Sequence, residues 1–475
     1  MLASGIRIYL SHLGHLNSHL HFKVGRQSTI VLTTVEAAHE LLNKRASKYS
    51  DRSFGYMTTE MVTKGYNMLF RRYDSQLRLH QRLHSHGLNP RSAALYEPIQ
   101  DMESLQLLND MLSQGKLKSD SSGGKKEMDG VAPQNPHWDF RRASASSISL
   151  VIWGYRLMKG HPGTKEQMDF FDANPTAAHV PYLISPWKRA GEKYHQSEAE
   201  HHVSNFRRAL RQLGYNVSKQ IANGVERLGA GTSEAEMAWI AATLTLANSE
   251  TTVSILSWFV VAMVTYPHMM RKAQAMLDEV VGQQRLPVYE DRARLPYIDA
   301  MIEEVMRWRP ILPAGMDHAA AEEDEYMGYR IPAGATVVAS QWAITRDKAV
   351  FGADSDDFRP ERWLEGQDLP KISFGYGRRL CPGRHVGRDS LWILFARLLW
   401  AFEMEAPTDA ATGKKVVIDP MDMPPLGIVI APKPFEALFK PRGEWVEELA
   451  HGELERSEKG VENLMEQIGA AKGLQ

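Results

Sequence analysis

The sequence predicts a mainly α fold with small β-sheets (α+β), carried by one domain over residues 1–475, and three observations lead there. Between Ser233 and Pro267 the chain runs apolar without proline or glycine, which reads as a single helix of about 33 residues. Strand-like alternation is confined to short pieces near residues 22–34 and 325–340, enough for small sheets only. No period of about 20–50 residues recurs, so solenoids and propellers are excluded. Length alone permits about three domains, yet 475 residues that are 43% apolar and 24% charged suffice to bury one large core.

Taken in order, the first 25 residues never present the ~18 consecutive apolar positions of a spanning helix and lack a signal-peptide apolar region, so no membrane anchor is expected at this end. FKVGRQSTIVLTT (22–34) reads as two strands around a Gly-Arg turn, and a helix starts at Val35. Residues 75–112 read as helical. The stretch 113–136, rich in Gly, Ser, Lys and Asp and without apolar period, reads as a flexible surface loop. Two or three helices follow to about residue 225. Ser233 with Glu236 spells a capping box for the long helix, whose apolar run at 239–265 is broken by Asn248 and Glu250; a buried core helix is expected there, not a transmembrane span. YIDAMIEEVMRW is a helix stopped by Pro310, EYMGYRIPAGATVVAS is strand-like, and a last helix starts just beyond Cys381 and runs through WILFARLLWAFEM.

Composition removes several function classes. One cysteine, Cys381, cannot close an intramolecular disulfide or build a Cys-x-x-Cys metal site, which points to a reducing, cytosol-facing compartment. A net charge of −1 gives no global field for nucleic acid. His12, His15 and His19, and likewise His195, His201 and His202, sit at helical spacings that zinc could use, but without an ordered set of further donors they read as ordinary histidines. The sequon at Asn216 lies in a helical segment and reads as unused. No Walker or dinucleotide fingerprint is present, so a nicotinamide would have to act through a separate protein.

The chemistry concentrates in FGYGRRLCPGRHVG (374–387). A lone cysteine is most often a small buried hydrophobe. Here, however, Gly377 and Gly383 let the backbone turn and aim N–H groups at the sulfur, Arg379 adds a cation, and the following helix presents its positive end, worth about 0.3–1 kcal/mol. Those are the conditions that stabilise a thiolate.

Phe374, Gly377, Arg379, Cys381 and Gly383 fill every specified place of F-x-x-G-x-R-x-C-x-G, and the segment thereby resembles the haem-binding loop of the cytochrome P-450 superfamily. Two further motifs stand in family order: Glu304 and Arg307 of the Glu-x-x-Arg helix, and Arg362 in FRPERW, which by resemblance form a charge network behind the haem. The resemblance implies the cytochrome P-450 fold, with heme b between the long central helix and the cysteine-loop helix and its iron ligated axially by Cys381. It implies that Arg379 meets a haem propionate and that Phe374 packs on the thiolate side. ANSETT (247–252), otherwise a Ser/Thr cluster bonded back to its own helix, is similar to the family's acid–alcohol turn, so Glu250 and Thr251 are expected to deliver protons to the oxygen site.

Two places depart from the family. Asn248 stands where a glycine is usual, with a side chain able to hydrogen-bond near the oxygen site. Leu77 and Gln81 stand where a Trp-x-x-x-Arg helix holds a propionate, leaving Arg78, His80, Arg82 and His318 as substitutes, of which Arg82 and His318 are the expected donors. The implied pocket walls are apolar: residues 53–70, Met237, Ile240 and Leu244, Ile311 to Asp317, and 423–427.

The expected function is a haem-thiolate monooxygenase acting on a hydrophobic small molecule in fungal secondary metabolism, from the similarity of residues 286–310 and 318–334 to fungal members. The alternatives are a haem-thiolate isomerase or dehydratase, and a non-catalytic haem-binding protein. Implied partners are NADPH–cytochrome P-450 reductase and cytochrome b5; a monomer is expected. Arg378, Arg384 and Arg388 offer a basic docking face. Family members sit on the cytosolic side of the endoplasmic reticulum; with no anchor read at the start of this chain, peripheral contact through apolar surface near residues 175–187 is the expectation.

Overall fold

The computed structural model of the protein describes residues 19–24, 27–53, 57–121, 131–158, 186–424, 428–458 and 460–473. Strands β1 (His19–Val24) and β2 (Gln27–Leu32) pair antiparallel, as their alternation predicts. Thr34 caps α1 (Val35–Ala38), which continues as a wider π turn over His39–Lys44. The helical stretch from residue 75 is three helices: α2 (Ser75–Leu88), α3 (Pro90–Ala94) and α4 (Glu97–Ser121). Asn89 explains the first break, because its side chain caps α3 while Pro90 cannot continue α2. Helix α4 runs to Ser121, so the beginning of the expected loop 113–136 is helical, and residues 122–130 lie outside the described residues.

Among the described residues three helices follow: α5 (His137–Trp153), ended by Gly154 in the left-handed region, α6 (Pro186–Arg211) and α7 (Val217–Leu228). Asn216 caps α7 and is itself fully buried, so its sequon is closed to modification in this fold. The long helix α8 spans Glu234–Thr265. Only half of the expected capping box forms. Ser233 accepts the Glu236 amide, but the Glu236 carboxylate turns away to His80 at 2.9 Å and Gln76 at 2.7 Å. Then come α9 (Pro267–Val280) and α10 (Pro296–Trp308).

The strand-like region resolves into β3 (His318–Ala319), a hairpin of β4 (Asp324–Tyr326) and β5 (Tyr329–Ile331), and β6 (Thr336–Ala339). Met327 and Gly328 both have positive φ, the two-residue turn that suits strand twist. Sheet order is β1-β2-β6-β3, with β6 parallel to β2. Short helices α11 (Gln341–Ile344) and α12 (Lys348–Phe351) lead to α13 (Arg384–Ala401). The chain straightens at Phe402 into β7 (Phe402–Glu405), so FEM is strand, not helix; β7 pairs with β8 (Leu438–Pro441). Nor is α13 the last helix: α14 (Trp445–Glu458) and α15 (Val461–Ala471) follow.

Packing centres on α8. Val253–Met263 of α8 interdigitate with α4, α10 and α13 in the largest apolar cluster, where Phe259 stacks on Phe395 at 3.9 Å. The N-terminal half of α8 joins α2, α5, α6 and α7 in a second cluster, which α15 closes with Met465 and Ile468. Among the described residues α8 alone is long and apolar enough to cross a membrane, and it is this core helix. The apolar surface expected near residues 175–187 lies outside the described residues except for the start of α6. His195, His201 and His202 gather no metal set: among the described residues no group of three metal-ligating side chains forms. His195 bonds the Val62 carbonyl and His202 pairs with Glu198. Of the other trio, His12 and His15 lie outside the described residues.

One buried histidine makes stability pH-dependent. His84 is fully enclosed, with Nε2 2.8 Å from the Ile240 carbonyl oxygen, and burial pushes its pKa down to about 4 from an ordinary 6.5. Between those values the unfolded chain carries the proton and the folded chain does not, so stability falls as pH drops from 6.5 towards 4. Over that window the loss amounts to about 3 kcal/mol. His84→Gln keeps a donor for the Ile240 carbonyl and removes the titration. Chemical denaturation at pH 7 and 4.5 should show a shallower acid loss in the variant; equal losses would refute the assignment.

Candidate functional site

Cys381 sits where the sequence places it, at the approach to α13. Its amide donates to the Phe374 carbonyl at 2.9 Å, closing the loop, and Gly383 caps the helix that begins at Arg384. Gly377 is required by contact as well as by its φ of 52°: a Cβ there would stand 2.2 Å from the Leu42 carbonyl oxygen. Its N–H, however, goes to Asn43 Oδ1 at 2.7 Å and not to the sulfur. Gly383 has an ordinary φ of −82°, and its amide does reach the sulfur.

Burial raises the thiol pKa, opposed by the Gly383 amide, the Arg384 guanidinium and the Arg384 amide. The cation beside the sulfur is therefore Arg384, not Arg379. Arg384 also donates to the Cys381 carbonyl at 3.1 Å. Phe374 is partly buried against the main core, with the Arg388 guanidinium 5.1 Å from its ring centre.

Arg379 points away from the thiol, towards the segment Tyr49–Arg52, and donates to the carbonyls of Ser50 (2.8 Å), Met68 (3.2 Å) and Arg71 (2.7 Å). The same segment holds His318, whose Nδ1 lies 2.7 Å from the Tyr49 carbonyl oxygen. Its last residue, Arg52, is buried and donates to the Met316 and Asp317 carbonyls, while its Nε has no partner. These three basic groups repel one another. Burial first, then Arg52 and Arg379, pushes His318 down to about 3; burial, then Arg379, takes Arg52 to about 9. A concentration of positive charge with an unsatisfied buried donor is a site made for an anion.

Arg52 was not singled out from the sequence, because no motif marks it. His318 joins this cluster. Arg82 is exposed on α2, beside Gln81, which donates to the Arg378 carbonyl at 2.9 Å. Arg78 and Arg378 flank the Tyr73 ring at 5.9 and 5.4 Å. Leu77 is buried in the core.

On α8, Ala247 is exposed although most of the helix is buried, and Thr251 one turn on is half-exposed with its hydroxyl donating to the Ala247 carbonyl at 2.9 Å. Glu250 extends to solvent, its side chain 43% exposed, 3.4 Å from Arg141 of α5. Asn248 does not share the face of Ala247 and Thr251: its Nδ2 donates to the carbonyl (3.0 Å) and hydroxyl (2.8 Å) of Ser144 on α5. Among the expected pocket walls, Ile240 and Leu244 are buried in the second core cluster; residues 54–56 and 425–427 lie outside the described residues.

Behind the cysteine loop, Glu304 is fully buried and bonds Arg307 through both oxygens, at 2.8 Å each, and Arg362 at 3.0 Å. The three motif residues thus meet as expected. Glu303 beside it pairs with Arg388 at 2.7 Å, so Arg388 belongs to a partly buried ion pair and not to a free docking face.

A half-buried thiol at a helix N-terminus, a basic cluster with an unsatisfied donor, and an exposed face of α8 at Ala247 and Thr251 fit a planar, dianionic haem held through its iron and propionates. The comparisons agree. The profile of the family described as Cytochrome P450 matches residues 15–439. "Cytochrome P450 monooxygenase aneD" of Aspergillus aculeatus is 33% identical over 469 residues, covering 94% of this chain and 86% of its own. "Cytochrome P450 monooxygenase peniB" of Penicillium patulum is 33% identical, covering 88% and 77%. A solved zebra fish cytochrome P450, in a structure with abiraterone, superposes with a TM-score of 0.76 at 21% identity, over 92% of this chain and 99% of that one; it shares the fold.

Proposed function

The chain belongs to the cytochrome P450 family, and from that premise we propose that it is a haem-thiolate monooxygenase inserting one oxygen atom of O2 into a hydrophobic small molecule in fungal secondary metabolism. The supporting observation is the arrangement around Cys381: the sole thiol, under the amides of Gly383 and Arg384, at the start of α13. When bound, haem would supply the redox chemistry by which O2, two electrons and two protons give one inserted oxygen and one water.

In this reading Cys381 ligates the iron as thiolate, and Phe374, Gly377 and Gly383 shape its loop. Arg379, His318 and Arg52 take the propionates, Arg52 in place of the α2 donor that Leu77 and Gln81 cannot provide. The negative charge they receive would raise the pKa of His318 and let its Nε2 donate. Glu250 carries protons in from solvent beside Arg141, and Thr251 holds them on the exposed face of α8, its own hydrogen committed to the Ala247 carbonyl. Arg82 is better used outside: with Arg78 and Arg378 it forms the basic patch that docks NADPH–cytochrome P-450 reductase or cytochrome b5. We place the protein, as a monomer, on the cytosolic face of the endoplasmic reticulum.

Thr251→Ala tests the reading. Purified with reductase and NADPH, the variant should keep its haem while product per NADPH falls by roughly 10²-fold, the low end for a positioned proton donor, and hydrogen peroxide rises in its place. Unchanged coupling would reject the role of Thr251. Turnover of a peroxide without NADPH would instead favour an isomerase.

A further inference from the structure

We propose that Asn248 is a positioning residue for Thr251, pinning the turn of α8 that carries the hydroxyl to α5; the inference rests on the monooxygenase reading. Helix α8 is weakened from within over this stretch. The hydroxyls of Thr243, Ser249, Thr251, Ser254 and Ser257 all donate to carbonyls three or four residues back on the same helix. Such back-bonding competes with the helical ladder and bends it.

Asn248 sits in the middle of this stretch and uses its whole amide. Nδ2 donates to the Ser144 carbonyl and hydroxyl at 3.0 and 2.8 Å, and Oδ1 accepts from Thr252 Oγ1 at 3.2 Å. The bonds leave the helix on the face of residues 248 and 252, about 100° round from the face of Ala247 and Thr251. Asn248 therefore binds α5 and not the face of Ala247 and Thr251, and acts on Thr251 through the backbone between them.

Beside the pin lies a cavity of about 20 Å³ lined by Ser144, Ser147, Asn248, Thr252, Ser104 and Ser390. Its lining mixes these polar side chains with Ala143, Ile148, Val151, Val386, Ile393 and Leu394, and it is large enough for one water molecule. A turn so braced on its buried side stays regular, which holds the Ala247 carbonyl where it accepts the Thr251 hydrogen. Without the pin, the hydroxyl-rich turn is free to open and Thr251 loses its fixed direction.

Asn248→Ala and Ser144→Ala test this in the full-length holoprotein, with Thr251→Ala as reference. Amide hydrogen exchange of residues 247–255 should quicken about tenfold in Asn248→Ala, the factor given by one net hydrogen bond. The fraction of NADPH recovered as peroxide should rise towards that of Thr251→Ala, at unchanged haem content and substrate KM. Ser144→Ala should show a smaller change of the same kind, and the double variant should equal Asn248→Ala alone. Wild-type exchange in Asn248→Ala overturns the proposal. So does faster exchange with wild-type coupling, which would leave Asn248 a purely structural brace. If Thr251→Ala itself couples like wild type, the reading of Thr251 falls and the positioning role with it, an outcome distinct from failure of Asn248→Ala alone.

Discussion

Cys381→Ser should remove the thiolate signature from the spectrum of the reduced carbon monoxide complex and reduce oxygenation to background, with the fold intact. Serine is nearly isosteric, so the Cys381 amide can still donate to Phe374 and Gly383 can still cap α13. What is lost is ionisation. The Gly383 and Arg384 amides and the Arg384 guanidinium stabilise a thiolate against the penalty of burial, but they cannot ionise an alcohol at neutral pH. The basic cluster of Arg52, His318 and Arg379 is untouched, so some haem should be retained without its sulfur ligand. Circular dichroism, haem content and the carbon monoxide difference spectrum separate these effects. A serine variant with the wild-type spectrum would overturn the ligand assignment, because no second cysteine exists to replace the first.

The parts of this site that were legible in sequence are those fixed by local spacing. The Cys381 loop is a contiguous run whose turn needs Gly377 against Leu42, and the long helix is a sustained apolar period with a Ser233 cap. Direction and partnership were less legible. Asn248 was read as facing the oxygen site, yet one helical position turns a side chain by about 100°, and α5 supplies Ser144 as its partner from far along the chain. Arg388 was read as a free cation because its partner Glu303 lies on another helix. Arg52 had no signal at all: its role arises only when the carbonyls of Tyr49 and Ser50 draw His318 and Arg379 together. Helix α14 was missed despite a readable signal, since Val446, Ala450 and Leu454 recur at helical spacing and all three are buried in the main core.

Glu304→Ala should destabilise the fold by about 3–5 kcal/mol, the usual cost of breaking a buried pair from one side. Its two oxygens accept from Arg307, Arg362, the Arg359 amide and the Trp363 indole, and the side chain has no exposure. Alanine removes every one of these acceptors at once. Arg307 would keep only the Thr345, Ser355 and Asp357 carbonyls and stay buried without a counter-charge, while Arg362 would keep the Phe351 carbonyl and the partly exposed Asp354. Such a loss is a large share of a total stability of about 5–15 kcal/mol.

The consequence reaches the cysteine loop through α10. Glu304 fixes the turn at Pro360–Trp363 while its neighbour Glu303 holds Arg388 on α13, so a loosened α10 releases both that turn and the helix that follows the thiolate. Lys272→Ala is the control: it removes the partner of Glu361 from an ion pair in which the lysine is 44% exposed, and should cost no more than about 1 kcal/mol. Denaturant unfolding and haem retention measured on both variants decide the matter. Equal losses would mean that the buried network is not what holds the loop in place.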